Sequence, residues 1–134
     1  MTFALLAAFL AVAPTPSPAA PRVADGRWGG VGLSVDVTST GARIELDCAH
    51  GTIDAPLSLD ADGAFDAPGR LVRERPGPVR MDENEADDKG EAVRYTGRVD
   101  GETLTLVVVR PNPPRPPRPL TAAFGKSARL RKCN

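Results

Sequence analysis

Apolar and polar side chains alternate at a period of two again and again along this chain, and beyond residue 20 no stretch carries a convincing helical period. Val31, Leu33, Val35 and Val37 alternate with Gly32, Ser34 and Asp36, and Ile44, Leu46 and Cys48 with Arg43, Glu45 and Asp47. Val93, Tyr95, Gly97 and Val99 repeat the pattern against Arg94, Thr96 and Arg98, as do Leu104, Leu106 and Val108 against Thr103, Thr105 and Val107. Successive Cβ atoms of a strand point to opposite faces, so each run describes a strand with one face on a core.

Turn residues punctuate these runs. Asp100-Gly101 joins two alternating segments directly and is read as the centre of a type I′ hairpin turn, where both residues need positive φ. Thr38 to Gly41 and Asp60 to Gly63 end in glycine, and Ala67-Pro68-Gly69 and Arg75-Pro76-Gly77-Pro78 add breaks. The expected strands are 27–37, 42–48, 51–59, 64–66, 70–74, 92–99, 103–110 and 119–125, with a short last one near 128–133. A sheet of that size with one apolar face must close or fold onto itself. The expected fold class is therefore all-β: a small antiparallel up-and-down barrel of about eight strands, with a β-sandwich as the alternative. Closure is preferred because it removes exposed edges.

Two segments fall outside the sheet. Residues 81–91 (MDENEADDKGE) form an acidic loop without periodicity, and residues 111–119 (PNPPRPPRP) an extended proline-rich loop that cannot donate a ladder of hydrogen bonds.

The first 20 residues read as a signal peptide. Phe3 to Val12 is an apolar run of ten residues, about 15 Å as a helix and too short for a bilayer core of about 30 Å. Ser17-Pro18-Ala19 supplies the small-x-small pattern for cleavage near Ala19 or Ala20, although no Lys or Arg precedes the apolar run. The expectation is one domain over 21–134, exported to the periplasm or the medium, with no transmembrane span in the mature chain. The only two cysteines, Cys48 and Cys133, agree with export and are expected to form a disulfide. In an even-stranded meander the second and last strands flank the first. Cys48 and Cys133, ending those strands, would then meet at the rim where the first strand begins, beneath Trp28.

Charge narrows the partners. Seventeen basic and 17 acidic residues cancel, and fourteen of the basic ones are arginine, a bias that fits a GC-rich bacterial genome. With few aromatic residues available for stacking, nucleic acid is not an expected partner.

His50 is the only histidine, so any Ser-His-Asp or Cys-His arrangement would have to use it. Oxidation of Cys48 removes the thiol nucleophile, and no serine lies in a Gly-x-Ser-x-Gly elbow. One histidine with two bonded cysteines is a poor zinc donor set, and the acidic loop lacks the ligand spacing and central glycine of a calcium loop, so neither metal nor cofactor is expected. Pro113 to Arg118 formally matches the PxxPxR pattern bound by aromatic grooves, but a stiff spacer is its default role.

Two resemblances can be stated. Gly26-Arg27-Trp28 at the start of the first strand, with Arg129 and Arg131 near the end, resembles the signature of calycins, the lipocalin and avidin superfamily. It implies a barrel whose base is closed by a late basic side chain packed over the Trp28 indole. Such a cation–π contact contributes about 0.5–2 kcal/mol depending on burial. Trp28-Gly29-Gly30, Ala42 to Ile53 (ARIELDCAHGTI), Tyr95-Thr96-Gly97 and Leu130-Arg131-Lys132-Cys133 look like a group of small exported bacterial proteins of uncharacterised function, which implies no catalytic residues. The first functional expectation is a non-enzymatic binding module for a small apolar ligand in the barrel mouth, or for a protein surface. The alternatives are a hydrolase using His50 with a carboxylate such as Asp47 or Asp54, and a structural envelope component.

Overall fold

The computed structural model of the chain describes residues 21–74 and 90–133, with Ala8 and Ala11 standing alone before them. The expected signal peptide over 1–20, Ala8 and Ala11 apart, and residues 81–89 of the acidic loop lie outside the described residues. Eight strands close into one barrel in chain order: β1 (Gly26–Gly30), β2 (Leu33–Val37), β3 (Ala42–Leu46), β4 (Ala49–Ile53), β5 (Ala64–Arg73), β6 (Glu91–Asp100), β7 (Thr103–Val109) and β8 (Leu120–Phe124). Every pairing is antiparallel, and β8 returns to β1 through the pairs Trp28–Phe124 and Gly29–Ala123. The up-and-down barrel is the architecture that the alternation predicts; the sandwich is not formed.

The strand divisions differ from the expected ones. The run 27–37 is two strands, because Val31-Gly32 is a two-residue turn closed by the pair Gly30–Leu33. Val31 is 75% exposed, and the inward positions change phase there, from Trp28 to Leu33, Val35 and Val37. Conversely, 64–66 and 70–74 fuse into β5, which runs through Pro68-Gly69 without a break. At Pro68 the strand is paired with β6 but not with β4, whose pairing begins at Gly69, so the missing proline N–H removes no bond there. The segment expected as 51–59 leaves the sheet at Ile53, and residues 128–133 form no strand. The hairpin turn after β6 is Gly101-Glu102, closed by the pair Asp100–Thr103. Only Gly101, at φ 59°, takes positive φ, so the expected type I′ centre at Asp100-Gly101 is shifted by one residue.

The inward faces fill the barrel. Trp28, Leu33, Val35, Ile44, Tyr95, Leu104 and Leu106 are each 0–2% exposed. Burying an apolar side chain of this size contributes about 1.5–3 kcal/mol. Tyr95 organises the centre: its ring leaves β6, crosses the inner face of β5 and reaches β4. Glycines clear its path. A Cβ at Gly69 would lie 2.5 Å from Tyr95 Cε2, and one at Gly51 would overlap the hydroxyl. The hydroxyl donates to the Arg70 carbonyl at 2.6 Å, and burial pushes its ionisation far above the ordinary phenol range. At the end where β1 begins, Val23 and Leu57 plug the opening. Val23 N–H donates to the Leu57 carbonyl at 2.9 Å, and Leu59 N–H to the Pro21 carbonyl at 2.7 Å.

Candidate functional site

After β8 the chain turns at Gly125, whose N–H donates to the Arg27 carbonyl at 2.7 Å, and residues 126–133 run back as a strap across the outside of β1. Gly29 makes the crossing possible, since a Cβ there would lie 2.8 Å from the Ala128 nitrogen. Beyond the last β8 pair the strap meets the end of β1 in a single parallel bridge, Val31 with Arg129. Arg129 N–H donates to the Gly30 carbonyl at 3.0 Å, Gly32 N–H to the Arg129 carbonyl at 2.8 Å, and Cys48 N–H to the Arg131 carbonyl at 2.9 Å. Asp47 accepts the Arg131 N–H at 2.6 Å.

Cys48 and Cys133 are bonded, with Cα atoms 4.8 Å apart. Their place is not the expected one. The extra turn at Val31-Gly32 makes Cys48 close the third strand rather than the second, and so moves the bridge to the rim where β1 ends. Cys48 sits at φ 55°, the left-handed region, as the second residue of the two-residue turn between Leu46 and Ala49. The strap is covalently tied to a hairpin turn two strands away from β1.

Beside the disulfide lies a polar cluster centred on Lys132. Lys132 Nζ donates to Glu45 Oε2 at 2.6 Å, Glu74 Oε1 at 3.1 Å, and the carbonyls of Ala49 at 3.1 Å and Leu46 at 3.2 Å. His50 Nδ1 lies 3.2 Å from the same Glu74 oxygen. Glu45 and His50 share the outer face as a cross-strand pair of β3 and β4, and Glu74 follows β5 with its N–H on the Cys48 carbonyl at 2.9 Å. Partial burial pushes both carboxylates up, but the hydrogen bonds and charge of Lys132 more than reverse this. Arg43 adds to the effect on Glu45 and His50 to that on Glu74, and both acids end below their ordinary range. Burial lowers Lys132, and the two carboxylates outweigh it and hold the ammonium above its ordinary range. The other oxygen of Glu74, Oε2, is buried without a hydrogen-bond partner among the described residues.

His50 therefore meets a carboxylate, but it is Glu74 rather than Asp47 or Asp54. Asp47 holds the strap, and Asp54 lines a widely open depression of about 500 Å³ at the other rim, with Asp36, Thr38, Arg43 and Thr52. Among the described residues no hydroxyl or thiol hydrogen-bonds to His50, and no cluster of three or more acidic, histidine or cysteine side chains could hold a metal.

Trp28 is 2% exposed, with its indole N–H on the Ala24 carbonyl at 3.1 Å and Phe124 edge-on at a centroid distance of 5.1 Å. Arg129 and Arg131 are exposed and join the structure through their main chains, as strap residues. No spacing rule joins Glu45, Glu74 and Lys132, since side chains from three distant segments meet here; the motifs Ala42 to Ile53 and Leu130 to Cys133 contain Glu45 and Lys132, and no motif contains Glu74.

The proline loop, 111–119, is exposed at every residue and lies on the same rim. It is not extended throughout: the backbone bends at 111–112 and at 114–115, then runs unbent through 116–119. The bends involve Asn112 and Arg115, whose φ no ring fixes. Arg110 and Glu91 pair at its root, tying it to the start of β6.

Comparison of the chain with protein-family models, with curated proteins and with solved structures returns no match.

Proposed function

We propose that the chain is an exported, non-enzymatic module that binds a protein surface through its exterior. The observation that carries this reading is the filled axis of the barrel. Where a ligand-carrying barrel keeps a chamber, Trp28, Tyr95, Leu33, Leu104 and Leu106 pack at 0–2% exposure, and Val23 and Leu57 plug one end. A small apolar ligand in the mouth is the weaker branch for the same reason. The polar cluster supports a mechanical role, because Glu74 serves Lys132 as well as His50 and so helps hold the strap. Loops displayed on a rigid closed wall lose little freedom on docking, which favours recognition by the rim that carries the turns, the strap and the exposed proline loop.

The test is in-culture cross-linking of the tagged chain, followed by mass spectrometry of the purified protein under native and denaturing conditions. The expected result is a recurrent cross-linked protein attached at rim residues, unchanged in a His50→Gln variant. A stoichiometric small apolar molecule retained in the native spectrum, with no cross-linked protein, would overturn the reading.

A further inference from the structure

We propose that the Cys48–Cys133 bond is a redox latch on the strap: its reduction frees residues 126–133 and uncovers the end of β1, while the eight-strand barrel stays closed. The strap is a separable layer. None of residues 125–133 belongs to the buried apolar core, whereas every strand of the barrel contributes to it. The strap's hold on the wall includes the main-chain bonds at Gly30, Gly32 and Cys48, the Asp47 carboxylate on the Arg131 N–H, the Lys132 cluster, and the disulfide. It pivots at Gly125, where φ is +75°. Both cysteines are only half-buried, so an incoming thiolate can reach the bond.

The reductant is a dithiol of the class carried by exported thiol oxidoreductases. One of its thiolates attacks the Cys133 sulfur, forming a mixed disulfide and releasing the Cys48 thiolate, which takes up a proton. The second thiol of the dithiol then displaces Cys133, which leaves as a thiol. Two electrons and two protons pass to the protein, and the dithiol ends as a disulfide. With the strap gone, the Gly30 carbonyl and the Gly32 N–H lose their partners and present a short strand edge. Glu45 and Glu74 lose the ammonium between them, so their mutual repulsion favours the return of Lys132 and re-docking of the strap once the bond is re-formed.

The experiment compares oxidised and dithiothreitol-reduced chain by amide NMR relaxation, with C133S as a match to the reduced form that cannot re-form the bond, and K132M studied oxidised. In the reduced chain and in C133S, order parameters over 126–133 are expected to fall from about 0.85 to below about 0.6, with the signals of Ile44, Tyr95 and Leu106 keeping their folded positions. Oxidised K132M keeps an ordered strap, because the covalent tie remains. Three results would each overturn the proposal: a strap that stays ordered after reduction, a strap freed in oxidised K132M, or loss of the core signals on reduction. The last would make the bond a closure of the whole fold.

Discussion

Gly51→Ala is the sharpest test of how the barrel is filled. Its new methyl would overlap Tyr95 Oη and the Arg70 carbonyl, and would stand 3.1 Å from Tyr95 Cζ. Overpacking a well-filled interior costs about 1–3 kcal/mol, and this site belongs at the upper end because one obstacle is main chain of the neighbouring strand. If the ring shifts, the 2.6 Å bond from its hydroxyl to Arg70 is lost as well, a further cost of about 1 kcal/mol. The variant is thus expected to lose about 3–4 kcal/mol, a large share of the about 5–15 kcal/mol that holds a domain of this size. Tyr95→Phe alone deletes the bond and costs about 1 kcal/mol. In the double variant one obstacle has gone and the Arg70 carbonyl remains, so its cost should fall short of the sum of the single costs by about 1 kcal/mol. Urea unfolding of the oxidised proteins, followed by the fluorescence of Trp28, measures all three. A Gly51→Ala protein within about 0.5 kcal/mol of the parent, or strict additivity in the pair, would refute the packing described for Tyr95.

Three further outcomes can be checked with the same assay. Glu45 and Glu74 ionise below their unfolded values, so their contribution is complete above about pH 4.5 and is lost as the pH falls through the lowered folded values. The acid limb should therefore flatten in Lys132→Met; an unchanged limb would show that Lys132 does not set these acids. Phe124→Ala removes the edge-on partner of Trp28 and should cost about 1 kcal/mol with a change in Trp emission, the aromatic pair itself being worth about 0.5–1.5 kcal/mol. His50→Gln alters one half-exposed contact and should stay within about 1 kcal/mol of the parent at neutral pH, whereas a larger loss would mean that the histidine carries the cluster.

The alternation made the barrel legible, because a period of two over many short runs leaves few other ways to bury one face. What it could not place were the joints. Val31-Gly32 sits inside a run whose alternation reads as one strand, and it betrays itself by a phase change of the inward positions, from Trp28 to Leu33. Pro68-Gly69 carries strong breaker chemistry, yet β5 passes through it because β4 has not yet begun to pair there. Even the strand number conceals this: one expected strand splits, two fuse and the ninth is not formed. The pairing of Cys48 with Cys133 was readable from the count of two, but its rim was not, since one extra turn reverses the end of the barrel at which the Cys48 hairpin lies. The cluster of Glu45, Glu74 and Lys132 is long-range by nature. Its members come from β3, the end of β5 and the strap, and no spacing rule connects them.

Seven of the eight joints in the wall link strands that follow one another in the chain, so each can zip as soon as its hairpin forms. The eighth unites β1 with β8 over two residue pairs and must wait for almost the entire polypeptide. Until then the sheet has two open margins, and β1 can be met by any stray extended segment of another molecule. Crowded, incompletely made chains are thus where this protein is most prone to aggregate, and substitutions around Gly29 and Ala123 should reduce the yield of soluble protein before they weaken the finished fold.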